Sequence, residues 1–304
     1  MAVTLAMVAT EFLSRDGLAP LTVRSYEGVL APLLASLGAF PIRMLEREAF
    51  EEYLATLRDL SYTTHRTHQT VLQALLNWAV VRGYIASNPI VRLPMRKPDR
   101  TRGQSDTDQP LRYLMPEQIS ALHRTVRPYL RLNAAVVLLH QSGCRVGEVL
   151  GLDLEEVNLS ERKFQLLGKG NRRRWGFFGA EVAEALGLYL KLERHGGHPA
   201  LFTSRQPMTG VVARLSYAAL HKDWSRATAN EPQLSGVRLH DLRHTFATER
   251  VGLMHIEELR ALMGHTDIRT TLRYQKVTSV RAEAVARSAL VHLSSAAGSP
   301  PAGS

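Results

Sequence analysis

Six side chains able to grip and attack a phosphate are spread over 130 positions of the chain: Arg145, Lys169, His240, Arg243, His265 and Tyr274. The densest part runs His240-Asp241-Leu242-Arg243-His244-Thr245-Phe246-Ala247-Thr248, then Met263-Gly264-His265, then Tyr274, so imidazoles, a guanidinium and a phenol fall within 35 positions. Short helices would turn them toward one point. Each of the six also sits beside a turn or at a predicted helix end, where working groups are exposed on a rigid scaffold. His240 and His244 are four residues apart and share a helical face. Their spacing echoes a paired-histidine zinc motif, but a guanidinium lies between them and no third-ligand pattern follows, so no metal is expected.

The elements that must hold these residues are legible from apolar spacing. Val3, Met7, Val8 and Phe12 predict a helix to about Arg15, with Gly17 as its stop. Thr22 is expected to cap a second, with Val23, Tyr26, Leu30, Leu33, Leu34 and Leu37 as its stripe. A third spans about 47–58 and a fourth about 64–82, completing a four-helix N-terminal domain over residues 1–93. Pro94 to Pro110 contains three prolines and little apolar content, which predicts a linker. A second domain over 111–278 opens at Met115-Pro116. Helices are predicted at about 116–124, 129–142, 180–194, 210–228, 240–251, 256–263 and 267–274. Between the second and third of these the period shortens to that of strands, and Phe164, Leu166 and Leu167 face Trp175, Phe177 and Phe178 across Gly168-Lys169-Gly170-Asn171. Lys169 is thus placed in or beside a hairpin turn. Val280 to Leu293 reads as a final amphipathic helix. The fold class is mainly α with a small β-hairpin sheet.

The chain has 304 residues, 45% of them hydrophobic, which is enough for two cores. Lys and Arg number 38 against 28 Asp and Glu, a net charge of +10 that favours a polyanionic partner, nucleic acid ahead of an anionic membrane. No apolar run reaches the roughly 20 residues of a membrane span. Residues 1–10 have no basic residue ahead of the apolar run, so a cytoplasmic location is expected. The single cysteine, Cys144, excludes an internal disulfide. Only six of the basic residues are lysines; codon bias is the plain reading, and a lysine kept in an arginine-rich setting is the one expected to be there for its proton.

With these segments in hand, the chain resembles the tyrosine recombinases of the phage integrase family, and their Xer-like branch most. The resemblance rests on SGCRVGEVL at 142–150, GKGNRRR at 168–174, HDLRHTFAT at 240–248 and LMGHTDIRTTLRY at 262–274, in that order and spacing. It covers the whole chain, with the first four helices similar to the family's core-binding domain and the remainder to its catalytic domain.

The resemblance implies a site-specific recombinase that cuts and rejoins duplex DNA through a 3′-phosphotyrosyl link, with no cofactor and no metal. Tyr274 would be the nucleophile, and Arg145 and Arg243 would clamp the non-bridging oxygens, where charge grows in the transition state. His240 is expected to accept the phenol proton and His265 to donate to an oxygen. Lys169 would protonate the leaving 5′-oxygen, a task closed to arginine, with Lys163 as fallback. Glu148 is expected to orient a basic group, and His244 to pack or hydrogen-bond beneath the site. Arg92, Arg96, Lys97, Arg172, Arg173 and Arg174 are the expected DNA contacts. The partners implied are a DNA site and a homo- or hetero-tetramer spanning two sites, with residues 279–304 docking between protomers and an accessory protein left open. The alternatives are type IB topoisomerase-like relaxation and a silent DNA-binding protein on the same fold.

Overall fold

The computed structural model describes residues 2–99, 101, 111–168 and 172–277. They fall into two compact units, Met1–Gln109 and Pro110–Ser304. Lys169, the predicted helix 280–293 and most of the predicted linker, residue 100 and residues 102–110, lie outside the described residues.

The first unit has four helices: α1 Leu5–Ser14, α2 Pro20–Leu37, α3 Arg47–Thr56 and α4 Tyr62–Val81. Their apolar stripes meet in one core that includes Phe12, Leu30, Leu33, Phe50, Leu72, Leu75 and Leu76. The side chains of Thr4 and Ser61 cap α1 and α4 by accepting from the amides of Met7 and Thr64. The expected cap at Thr22 is not used. Helix α2 begins at Pro20, because a proline in the first turn has no amide to leave unpaired and its fixed φ suits the helix. Beyond α4, Gln69 donates to the carbonyls of Leu93 and Pro94, and Arg96 donates to those of Arg58 and Leu60. Arg92 and Lys97 are exposed, whereas Arg96 is partly buried against these turns.

The second unit contains α5 Pro116–Val126, α6 Leu130–Ser142, α7 Val146–Gly151, strands β1 Val157–Asn158, β2 Lys163–Gly168 and β3 Arg172–Phe177, α8 Ala180–Leu192, strands β4 Thr203–Arg205 and β5 Val212–Arg214, then α9 Tyr217–Thr228, α10 Asp241–Arg250, α11 Ile256–Met263 and α12 Ile268–Leu272. A 3-10 turn, Arg273–Val277, follows. Helix α6 is buried on nearly every side, and α5, α8, α9 and α10 pack around it. β1, β2 and β3 form one antiparallel sheet in that order, with Phe164 opposite Gly176 and Leu166 opposite Arg174.

The predicted helix from about 210 is a correction. Residues 212–214 instead pair with 203–205 as a second hairpin, and α9 starts only at Tyr217, where the Ser216 side chain accepts from the Ala219 amide. Gly210 at φ 67° closes the hairpin turn, and Val211-Val212 supplies β-branched residues that favour a strand.

Candidate active site

Gly143 ends α6 at φ 63°, and a Cβ there would lie 2.2 Å from the Phe246 ring. Both the backbone conformation and the space demand glycine. The turn carries the chain through Cys144 to Arg145, the N-cap of α7, whose amide donates to Glu148 Oε2 at 2.8 Å. Arg145 Nη1 also lies 3.1 Å from Glu148 Oε1. Its side chain remains 47% exposed, so it is anchored at one end and open to a ligand at the other.

Arg243, one turn into α10, is its opposite, only 3% exposed. Nη1 donates to the Gly143 carbonyl at 2.6 Å, and Nη2 donates to the Met263 carbonyl at 2.7 Å and to His265 Nε2 at 2.8 Å. Burial first, and then the charge of Arg145, pulls its pKa down to about 10, which leaves it protonated at neutral pH.

A guanidinium can only donate, so His265 Nε2 is an acceptor and its ring proton sits on Nδ1, 2.9 Å from Thr271 Oγ1. The expected donation from His265 to a phosphate oxygen has no free N–H in this arrangement; the ring instead steadies Arg243. Burial and the neighbouring arginines Arg243, Arg145 and Arg174 hold His265 at about 4, hence neutral.

Tyr274 is 3% exposed, within an apolar cluster of Phe246, Ala247, Val251, Leu259 and Met263. Its hydroxyl bonds to His244 Nδ1 at 2.8 Å. His240, expected to accept this proton, stands instead edge-on to the His244 ring, with centroids 4.8 Å apart. His244 is neutral, its pKa lowered to about 4 by burial and then by His240. His240 is shifted the same way, by partial desolvation and Arg243. Burial raises the Tyr274 phenol, with Arg243, Arg273 and Arg145 pulling against it.

Of the three consecutive arginines, Arg173 is exposed while Arg174 points inward, 15% exposed, with Nη2 2.8 Å from Glu148 Oε2. Sequence reasoning placed both on DNA, although the two-residue period of a strand separates them. Of Arg172 only the backbone is described. Thr271 and the Gly143 and Met263 carbonyls were missed as partners of the site. Among the described residues no group of three His, Cys, Asp or Glu side chains is placed to hold a metal ion.

The chain matches the phage integrase family model over residues 112–281. It is 30% identical over 276 residues to the tyrosine recombinase XerC of Mycobacterium tuberculosis, covering 87% of this chain and 90% of that protein. It is 27% identical over 213 residues to XerC of Vibrio cholerae, covering 68% and 65%. Two solved structures share the fold. The Tn1549 transposon integrase in complex with circular intermediate DNA has a TM-score of 0.69 at 21% identity, covering 94% of this chain and 99% of that one. A lambda integrase dimer bound to a COC′ core site has a TM-score of 0.68 at 15% identity, covering 90% and 95%. A buried arginine, an open arginine and a tyrosine bonded to a neutral imidazole thus stand on a shared fold in a chain with close relatives, and the chain belongs to the phage integrase family as a tyrosine-type site-specific DNA recombinase.

Proposed function

We propose that Tyr274 Oη attacks a scissile phosphorus of duplex DNA while its proton passes to His244 Nδ1. The bond from phosphorus to the 5′-oxygen breaks, leaving a 3′-phosphotyrosyl link and a 5′-oxygen that takes a proton from Lys169. Reversal with a different 5′-hydroxyl as attacker joins the new strand. The covalent link conserves the bond, so rejoining needs no nucleotide cofactor.

Arg145 and Arg243 bind the two non-bridging oxygens and act most strongly when the phosphorus is five-coordinate. Arg243 needs no reorganisation to do so, because Gly143, Met263 and His265 already hold three of its N–H bonds in place. The single observation that carries this reading is the 2.8 Å contact between Tyr274 and His244, the residue next to Arg243 of the Arg243–His265 pair, with the His265 and Tyr274 rings stacked 6.5 Å apart. The burial of Tyr274 implies that DNA binding draws the phenol out of its apolar cluster before attack. Short α12 and the 3-10 turn after it are the elements that would shift.

The remaining proposals follow from the family resemblance and the charge. Arg92, Lys97 and Arg173 contact the DNA backbone, the helical N-terminal unit supplies a second DNA-binding surface, and four protomers assemble on two sites in the cytoplasm. A nicked suicide substrate tests the chemistry. Wild type is expected to trap a protein–DNA adduct that survives denaturing electrophoresis, and Tyr274→Phe none. An adduct of equal yield from Tyr274→Phe overturns the assignment. A plasmid with two sites then separates recombinant circles from relaxation alone.

A further inference from the structure

We infer that Arg174 is a positioning residue of the reaction, a third arginine that balances the Glu148 carboxylate so that Arg145 keeps its charge for the phosphate. The inference rests on the phosphoryl-transfer reading above.

Strand β3 turns Arg174 inward beside Gly176, away from exposed Arg173 and Trp175. There its Nη2 reaches Glu148 Oε2 at 2.8 Å, the same oxygen that takes the Arg145 amide, while Glu148 Oε1 holds Arg145 Nη1 at 3.1 Å. One carboxylate therefore serves two guanidiniums and one helix N-cap. The guanidinium also lies close along the end of α11. A Cβ on Gly264 would come within 2.7 Å of Arg174 Nε and 3.1 Å of its Cζ, and the residue after Gly264 is His265. Arg174 thus sits between the start of α7 and the end of α11, the two places that present Arg145 and His265.

Its Nε and Nη1 are buried and find no acceptor among the described residues. Buried unpaired donors are costly, so the Glu148 contact is the one polar tie to a carboxylate that offsets the burial of this charge. Electrostatic balance gives the arrangement a purpose. Arg145, Arg174 and Arg243 carry three positive charges, and Glu148 is the only carboxylate bonded to any of them among the described residues. The surplus of two matches the two negative charges of a five-coordinate phosphorane. Without Arg174, the whole Glu148 charge falls on Arg145 and the field at the phosphate weakens.

The test is a double-mutant cycle read by single-turnover cleavage of the suicide substrate, with DNA-site affinity and thermal melting measured beside it. Arg174→Met is expected to slow cleavage by about 30-fold, the size of coupling for a directly bonded charged pair, with site affinity unchanged. Adding Glu148→Gln removes the unbalanced carboxylate but keeps an acceptor for the Arg145 amide, so the double variant should cleave faster than Arg174→Met alone. Arg174→Lys, which restores the charge, should recover most of the rate. Arg174→Gln, a neutral side chain that keeps a donor, is scored in the same way and decides the matter should the Met variant fail to melt cooperatively. Cleavage by the neutral variants at the wild-type rate overturns the inference. So does a loss that Glu148→Gln does not relieve, which is what a purely structural pin gives. Absence of an adduct from wild type is a different result and removes the underlying reading instead.

Discussion

The Tyr274 hydroxyl lies 2.8 Å from His244 Nδ1, and His244 follows Arg243 directly on α10, so the partner of the proposed nucleophile and half of the proposed phosphate clamp are adjacent residues of one helix. Replacing His244 should therefore slow cleavage more than replacing His240. His244→Ala is expected to cost about a hundredfold in adduct formation, the usual worth of a general base. His244→Asn, which keeps a hydrogen-bond partner for the phenol but cannot take its proton at neutral pH, should be nearly as slow while melting close to wild type. The opposite order for the His240 and His244 variants returns the proton to His240.

Acid should destabilise the protein through the same histidines. His244 and His265 both titrate at about 4 in the fold, below the ordinary imidazole value of about 6.5 in the unfolded chain. Between these values the unfolded chain binds more protons, so stability rises with pH across that window and is fully present above it. Melting temperature should climb from pH 4 to pH 6.5, then level off as far as these two groups are concerned. A His244→Gln/His265→Gln variant should show a shallower climb.

Gly143→Ala should unfold the catalytic unit more easily by about 3 kcal/mol, from the left-handed backbone and the collision with Phe246 together. Denaturant titration measures this directly. Phe246→Leu, which frees the space but not the backbone, should restore only part of the loss in the double variant.

DNA binding should weaken steeply with salt, each neutralised phosphate adding about −0.9 to the log–log slope. Arg173→Ala, at an exposed position, should flatten that slope by about one unit, whereas Arg174→Ala should leave it unchanged. An equal flattening of the wild-type slope by the two variants places both side chains on the DNA backbone, and an unchanged slope for Arg173→Ala removes Arg173 from it.

Removal of residues 279–304 should preserve binding to a single site and impair assembly of two sites into one complex. Native gels with one-site and two-site DNA distinguish the two effects. Normal synapsis by the shortened chain means that the tail does not join protomers.

Much of this arrangement was legible before any coordinates. Helices α1, α3 and α4 announce themselves by uninterrupted apolar stripes and α6 by its apolar run, and the ends of α4 and α6 are marked by Ser61, Gly83 and Gly143. Arg145, Arg243, His265 and Tyr274 are recognisable because each stands in a distinctive local motif. The β4–β5 hairpin was hidden because its strands are three residues each, too short for alternation to be read, and Val211-Val212 runs on toward a genuine helix. The partner of Tyr274 was hidden for another reason. His240 and His244 differ by about one helical turn, and only the path of the chain through α11 and α12 decides which of them the phenol meets. The burial of Arg174 was readable in principle from strand alternation, but three arginines in a row look like one charged surface.

Arg243 finds its acceptors at Gly143, a hundred residues earlier, and at Met263, twenty residues later. Both acceptors lie in the second unit, so a fragment that lacks either end of it cannot have both. The guanidinium is locked only when the distant turn and the end of α11 are both in place, so the proposed clamp is a long-range closure, completed late in the assembly of the catalytic unit and not by any local segment of it.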